Sequence, residues 1–244
     1  MNRQVDFVRR QREAAWEFGR QLRDGLLGDF SARYQVAFPP PPAIIIDELL
    51  TDFLDVDLKF DPLPEDTFAK AEWLNGRGCV TVNSLIQSMP GVKDAQGVEN
   101  IGKWHEAIHI VRNADLLKTG PQATLPGIAE PPGIACYRSG AVQLTPEART
   151  REFWAEEAGR AAAISYRHLA RSESFKRLMG LARLSPLLGG EAWGLLYRAA
   201  ADIGVNRTAL VKQLEYEGWI TVTRSGGRNL LSVQPALADM VATS

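Results

Sequence analysis

Cysteine is scarce in this chain, with only Cys79 and Cys136 among 244 residues. Two cysteines are too few for a disulfide framework, and their separation does not match the paired spacing of a cysteine zinc site. A run of about 18 apolar residues, long enough to cross a membrane, is absent. The N-terminus also lacks the apolar core of a signal peptide. These absences lead us to expect a soluble, cytoplasmic protein without a membrane partner.

An excess of charge of either sign is missing as well, because 28 basic residues face 29 acidic residues and the net charge is −1. Such a chain has no general electrostatic attraction to nucleic acid or to an anionic membrane surface. Hydrophobic residues make up 45% of the sequence and charged residues 23%, which is ordinary for a soluble globular protein. The length suffices for one or two domains with a sizeable core.

Histidine is nearly as scarce as cysteine, yet two of the three histidines stand four residues apart in Trp104-His105-Glu106-Ala107-Ile108-His109. On a helix this spacing places both imidazoles on one face, where they can bind the same metal ion. Apolar residues at three- and four-residue intervals support a helix: Ile101, Trp104, Ile108 and Val111. Glu106 is placed to act as a base toward water, as in the zinc hydrolases called zincins. The alternative is a chance match on a solvated helix face, and for the lone His168 a structural role is the simpler interpretation.

A third metal ligand is expected from a separate helix, since zincins of the gluzincin class use a glutamate there. Thr145-Pro146-Glu147 predicts the start of such a helix, which we expect to run to about Arg171. Its candidate glutamates are Glu147, Glu152, Glu156 and Glu157. Glu152 lies at the margin of the apolar face, with the small Gly159 beside it. We therefore predict Glu152 as the third ligand, with Glu156 as the alternative, whereas a surface charge paired with arginine remains the other interpretation.

The N-terminal half predicts helices and strands in mixed order. Residues 2–28 show the apolar spacing of an amphipathic helix, for which Gly28 is the expected stop signal. Residues 43–54 favour a helix and residues 55–60 a strand. An Asn75-Gly76 pair between two apolar segments predicts a hairpin.

Proline-rich segments suggest how the chain is divided. Four consecutive prolines at residues 39–42 separate the first helix from the rest of the chain, and a glycine- and proline-rich loop at residues 113–146 could cover a cleft. We expect an N-terminal helical arm (residues 1–38), a zincin-like domain (residues 39–185) and a C-terminal module (residues 186–244).

The order of these features resembles that of the ImmA/IrrE family of metallopeptidases. The resemblance covers roughly residues 43–170: a helix–strand lead-in at 47–60, Val-Thr-Val-Asn at 80–83, the HExxH helix, and Glu-x-x-Ala at 152–155. This chain departs from the family at Ala107-Ile108, where Leu-Gly is usual, and the residues after Glu-x-x-Ala match the family only faintly. The β-branched isoleucine makes a bulkier contact behind the metal.

The resemblance implies an α+β fold in which a small twisted sheet packs on the HExxH helix. It also implies a metallopeptidase in which His105, His109 and Glu152 hold the metal, while Glu106 takes a proton from water and passes it to the leaving amine. Zinc suits these ligands, and manganese or iron would also accept them. The implied substrate is a protein regulator such as a transcriptional repressor, whose cleavage switches on stress-response or mobile-element genes.

The C-terminal segment predicts two helices and a hairpin. Residues 190–201 and 207–217 favour helices, the second of them capped by Asn206, and residues 219–233 favour a hairpin around a glycine pair. Two helices followed by a hairpin are typical of a winged-helix module, which members of this family often carry in helix-turn-helix-like form.

This winged-helix pattern raises the alternative of DNA binding. The cations that could contact phosphates are Arg207, Lys212, Arg224 and Arg228. Five basic residues in 191–244 are balanced by five acidic ones, and Glu215 and Glu217 oppose phosphate contact. The module could instead dock a protein or pack on the peptidase domain. The alternatives to a peptidase are a DNA-binding regulator with a sensory or degenerate zincin domain, and a scaffold with a structural metal.

Overall fold

The computed structural model describes residues 3–65, 67–89, 92, 94–119, 134–137, 145–185, 187–234 and 236. Most of the predicted loop at residues 113–146 lies outside these residues, as do the side chains of Cys136 and Arg228. Within the described part of that loop the prediction is wrong, because the structure has a short helix and a strand there. Across the described ranges, no helix is long and apolar enough to cross a membrane.

Helices predominate, and two small sheets accompany them. The helices are α1 (Arg3–Tyr34), α2 (Ile46–Glu48), α3 (Ala95–Arg112), α4 (Ala114–Thr119), α5 (Pro146–Ala163), α6 (Tyr166–Leu169), α7 (Glu173–Leu184), α8 (Gly190–Asp202) and α9 (Arg207–Tyr216). The strands are β1 (Val56–Asp61), β2 (Thr67–Leu74), β3 (Arg77–Asn83), β4 (Ile134–Tyr137), β5 (Ile220–Ser225) and β6 (Arg228–Val233). A π-helical turn at Leu49–Phe53 and a 3₁₀ turn at Ile86–Ser88 complete the regular structure of the described residues. The α+β class predicted from the sequence is confirmed.

The first sheet has the strand order β1-β3-β2-β4 and lies against α3. Strand β1 runs parallel to β3, whereas β2 is antiparallel to both β3 and β4. Asn75 and Gly76 turn the chain between β2 and β3 with φ angles of 52° and 82°, the left-handed conformation that a two-residue hairpin requires. The predicted hairpin is confirmed. Apolar residues of its two strands pack with Trp104 and Ala107 of α3, so the sheet supports the helix that carries the HExxH motif.

Three predicted helix boundaries differ from the structure. Helix α1 continues through Gly28 to Tyr34 because Leu26 and Phe30, one turn apart, both pack into the core. The helix predicted for residues 43–54 is divided between the short α2 and the following π-helical turn.

The helix that begins at Thr145 is the third case, since α5 ends at Ala163 rather than near Arg171. Arg23 of α1 donates hydrogen bonds to the carbonyl oxygens of Ala161 and Ile164, at 3.2 and 3.0 Å. These bonds satisfy carbonyl groups that a helix end leaves without an intrahelical partner. The chain then turns into the separate helix α6.

The hydrophobic core is continuous across the three predicted segments of the chain. One cluster contains Phe30 of α1, Val80 of β3, Leu196 of α8 and Leu231 of β6. The amide nitrogen of Asn100 in α3 also donates to the carbonyl oxygen of Gly204, before α9, at 2.7 Å. The C-terminal helices and the HExxH helix are therefore parts of one packed structure.

Helices α1 and α5 cross at Gly19, where a side chain has no room. A Cβ atom at this position would lie 2.1 Å from the backbone oxygen of Ala158. We expect Gly19→Ala to lower the free energy of unfolding by about 1–3 kcal/mol, because the two backbones must separate. Urea denaturation measures this. The matched control is Gly25→Ala on the same helix, where an added Cβ atom meets no other atom within 4 Å. Its free energy of unfolding should rise by up to about 1 kcal/mol, because alanine favours the helix more than glycine does. Equal changes in both variants would contradict the close crossing.

Candidate metal centre

The two histidines of the HExxH motif lie in the second half of α3, and both are buried, with 6% of His105 and none of His109 exposed. Glu152 approaches them from the second turn of α5. Thr145 caps that helix as predicted, since its side chain accepts from the backbone nitrogen of Ala148 at 3.2 Å. The start of α5 therefore places Glu152 opposite the two imidazoles.

Gly159 allows α5 to come this close to α3. A Cβ atom on Gly159 would lie 3.0 Å from the backbone nitrogen of His105 and 3.1 Å from its Cα atom. A side chain at Gly159 would therefore require the two helix backbones to move apart by a few tenths of an ångström at His105. On the other side of this contact, Ile108 packs with Ala155 and with Ala15 of α1. The bulky residue within the motif is thus accommodated by the interface with α1 and α5.

The nitrogen and oxygen atoms of these three side chains converge on one point. His105 Nε2 is 3.1 Å from Glu152 Oε2, and His109 Nε2 is 3.3 Å from Glu152 Oε1. The two Nε2 atoms are 3.0 Å apart. Among the described residues, this is the one group of three or more histidine, cysteine or acidic side chains whose potential ligand atoms all lie within 4.8 Å of one another.

These separations suit a tetrahedral zinc ion. Zinc binds histidine nitrogen and carboxylate oxygen at about 2.0–2.2 Å, so neighbouring ligand atoms in a tetrahedral site are about 3.3 Å apart. The two Nε2 atoms are 3.0 Å apart, and they lie 3.1 and 3.3 Å from Oε2 and Oε1 of Glu152, so each distance is close to this value while each imidazole faces a different carboxylate oxygen. Two histidines and one carboxylate are also a known ligand set of catalytic zinc sites, which keep a fourth position for water or substrate. The residues present therefore fit zinc.

Glu156, the alternative third ligand, is engaged elsewhere. Its Oε1 atom lies 3.2 Å from Nη1 of Arg160 and 3.6 Å from Nζ of Lys212. Glu157, the next residue, is buried in contact with Arg160 and accepts a hydrogen bond from the indole of Trp16 at 2.8 Å. Of the candidate glutamates on α5, the geometry brings Glu152 to the histidines.

The surroundings of the three side chains shift their pKa values in different directions. Burial raises the pKa of Glu152, but hydrogen bonds from both imidazoles outweigh it and bring the pKa to about 2. Burial lowers the pKa of His109 to about 4. For His105 burial also acts to lower the pKa, yet the hydrogen bond with Glu152 and the charge of Glu106 raise it overall. At neutral pH, Glu152 is thus ionised and His109 is neutral, which are the forms that bind zinc.

Glu106, the predicted base, is fully buried at 0% exposure in the middle of the motif. Its negative charge contributes to raising the pKa of His105, the preceding residue. A buried carboxylate is costly in free energy unless charges or hydrogen bonds compensate for it.

Asn113 belongs to the site but did not emerge from the sequence. It is the C-cap of α3, and its side-chain nitrogen Nδ2 lies 3.0 Å from Nδ1 of His109. The spacing of four residues from His109 was the available signal. Asparagine is so common at helix ends that this spacing alone did not indicate a functional contact.

The predicted nucleic-acid-binding residues lie in α9 and in the β5–β6 hairpin. The guanidinium of Arg207 stands 5.0 Å from the ring centre of Tyr197, and Lys212 faces Glu156 of α5. Arg224 is exposed on β5, and the side chain of Arg228 lies outside the described residues. The buried Gln213 of α9 accepts a hydrogen bond from Arg160 at 3.1 Å, so this helix packs on α5.

His168, the third histidine, lies away from this site. Its ring nitrogens contact the backbone oxygen of Pro39 at 2.9 Å and the hydroxyl of Ser165 at 2.8 Å. Burial lowers the pKa of His168, and both ring nitrogens have a hydrogen-bond partner. These contacts join the proline segment to the turn before α6, in keeping with a structural role.

Comparison with known proteins gave no counterpart: no family model, no curated protein and no solved structure matches this chain. The chemistry of the site rests on its own donor atoms, two imidazole nitrogens and one carboxylate, with the buried carboxylate of Glu106 beside them.

Proposed function

We propose that this protein is a zinc-dependent peptidase. The observation that carries the proposal is the grouping of His105, His109 and Glu152, whose ring nitrogens and carboxylate oxygens approach one another to 3.0–3.3 Å. Glu106 follows the first of these ligands directly in the same helix. Three ligands with an adjacent carboxylate are the arrangement that hydrolytic zinc sites need. A structural zinc site, in contrast, usually has four protein ligands.

Each residue has a separate task in this reaction. Zinc would supply polarisation of the scissile carbonyl and of a water molecule. Glu106 accepts a proton as the water oxygen bonds to the carbonyl carbon, and it delivers that proton to the amide nitrogen as the carbon–nitrogen bond breaks. The products are a carboxylic acid and an amine. His105, His109 and Glu152 remain fixed, because they extend from helices whose backbones are in direct contact.

In this proposal the sheet and α3 form a zincin-like domain, and α8, α9 and the β5–β6 hairpin form a winged-helix-like module. Strands β1 and β4 are the edges of the first sheet within the described residues, and an extended peptide can pair with such an edge. The proposed substrate is a protein regulator such as a transcriptional repressor, as the resemblance to the ImmA/IrrE family implies. Cleavage would switch on stress-response or mobile-element genes.

DNA binding is the less supported function. The two candidate cations of α9 have partners within the protein: Arg207 is next to Tyr197, and Lys212 is next to Glu156. Contacts of exposed ion pairs are weak and could exchange for phosphate. Arg207 and Lys212 are therefore not arranged as a ready-made basic surface for phosphate, whereas His105, His109 and Glu152 are already grouped as a metal site would need.

Cleavage of a peptide mixture tests the proposed peptidase. The purified chain is stripped of metal with a chelator, reloaded with zinc or manganese, and incubated with peptides of varied sequence. We expect new peptide ends, detected by mass spectrometry, only after reloading. His109→Ala is the control for a contaminating peptidase, since it lacks one ligand. If the chain binds one zinc and still cleaves neither peptides nor unfolded proteins, the peptidase proposal is wrong and a structural metal replaces it.

A further inference from the structure

Asn113 is held beside His109 by its backbone as well as its side chain. Its backbone nitrogen donates to the carbonyl oxygen of His109 at 2.8 Å, and its Nδ2 atom lies 3.0 Å from the ring nitrogen Nδ1. Both contacts span the last turn of α3. The side-chain amide is therefore directed at the ring nitrogen on the far side of the imidazole from Glu152, which is 3.3 Å from Nε2.

His109 can serve as a ligand only through Nε2, because this is the nitrogen that faces His105 and Glu152. A nitrogen that binds metal needs its lone pair, so the neutral ring must carry its proton on Nδ1. The N–H group at Nδ1 then needs an acceptor, and such partners fix the orientation of metal-binding histidines. In the orientation seen here, Nδ2 of Asn113 faces Nδ1, and because an amide nitrogen can only donate, this orientation corresponds to the tautomer with the ring proton on Nε2.

A half-turn of the amide resolves this conflict without moving the backbone. It exchanges Nδ2 for Oδ1 at the same position, and the oxygen can then accept from Nδ1–H. Asparagine is suited to both states because its amide carries a donor and an acceptor. An aspartate carboxylate can only accept, so it can form a hydrogen bond only when the proton is on Nδ1. Leucine, of similar size, can form no hydrogen bond with either tautomer.

We propose that Asn113 is a positioning residue that selects the tautomer of His109 and thereby sets the zinc affinity of the site. The inference rests on the proposed metal centre but not on the peptidase reaction. Asn113 donates to Nδ1 while the proton is on Nε2. It accepts from Nδ1–H once Nε2 binds metal.

Zinc affinity in two variants tests this proposal. Competition with a coloured chelator measures the dissociation constant of wild type, Asn113→Leu and Asn113→Asp. We expect the leucine variant to bind zinc about 10- to 100-fold more weakly, the usual effect of removing such an outer partner. The aspartate variant should bind at least as tightly as wild type. If Asn113 were needed only to end the helix, the aspartate variant would not keep the zinc affinity that the leucine variant loses. Melting temperatures of the metal-free variants measure the effect on the helix end.

The tautomer itself gives a second measurement. With ¹⁵N-labelled histidine, long-range ¹H–¹⁵N spectra report which ring nitrogen carries the proton, and His168 provides an internal reference because Nε2 faces the carbonyl oxygen of Pro39. We expect His109 to carry its proton on Nε2 in the metal-free wild type. In metal-free Asn113→Asp and in the zinc-loaded wild type we expect it on Nδ1.

The outcomes separate this inference from the proposed function. Equal zinc affinity of wild type and Asn113→Leu, or an unchanged tautomer in Asn113→Asp, overturns the role of Asn113 alone. A wild-type chain that binds zinc with the expected dependence on Asn113 but cleaves no peptide overturns the peptidase alone. A wild-type chain that takes up no zinc overturns both.

Discussion

Glu106→Gln is expected to abolish peptide hydrolysis while one zinc ion stays bound. Glutamine keeps the size of the side chain, and Glu106 lies outside the ligand set formed by His105, His109 and Glu152. It cannot accept the proton of the attacking water, however. General acid–base catalysis by one group typically contributes about 100- to 10,000-fold, and we expect a loss of kcat in that range. The rate is measured on a peptide that the wild-type protein cleaves, at saturating zinc.

The matched control is Glu156→Gln, which makes the same chemical change on a glutamate outside the metal-binding group. Its cleavage rate should equal that of the wild type, because its contacts are with Arg160 and Lys212. Glu106 is fully buried, so metal content and melting temperature are measured on the same samples to exclude unfolding. A Glu106→Gln protein that holds zinc and cleaves at the wild-type rate would remove Glu106 from the reaction.

Glu152→Ala should lose stoichiometric zinc binding. Removal of an outer partner of a ligand costs about 10- to 100-fold in affinity, so removal of a ligand should cost more than about 100-fold. Metal analysis after dialysis against buffered zinc gives the stoichiometry. We expect near one equivalent in the wild type and far less in the variant. Because the Glu152 side chain is only 22% exposed, the melting temperature is measured on the same sample to show that the alanine variant is folded.

Glu156→Ala is the control for this experiment, since it removes a carboxylate one turn further along α5. It should retain one zinc. Loss of zinc in Glu156→Ala with retention in Glu152→Ala would mean that α5 turns to present the other glutamate. Retention in both variants would mean that the third ligand comes from another part of the chain.

The grouping of the candidate site was largely predictable from the sequence because the spacing of its residues within each helix is a local property. His105 and His109 are one helical turn apart whatever the rest of the chain does, and the helical wheel of α5 alone favoured Glu152 over Glu156. The Asn75-Gly76 hairpin and the Asn206 cap, whose side chain accepts from Ala209 at 2.8 Å, were found for the same reason.

Features that depend on contacts between distant segments were not predicted. The end of α5 is stabilised in part by hydrogen bonds from Arg23, which is distant in sequence. Helix α1 continues past Gly28 because Phe30, in the following turn, packs into the hydrophobic core. Packing of the C-terminal module on the rest of the chain was one of the alternatives from sequence, but the contact between Arg160 of α5 and Gln213 of α9 was not predicted. Local propensity contains no information about such partners, so a stop signal or an exposed face read from sequence can be overruled by packing.

Helix α5 touches a neighbour on either side through adjacent residues: Ala158 meets Gly19 of α1, and Gly159 meets His105 of α3. Both contacts are made by backbone atoms, which cannot change rotamer, so α5 has little freedom to slide or tilt. We therefore expect the helix backbones that carry the proposed ligands to be placed during folding, before any metal binds. The N-terminal helix contributes no residue to the candidate group, yet we expect it by this means to influence the metal affinity of the proposed site.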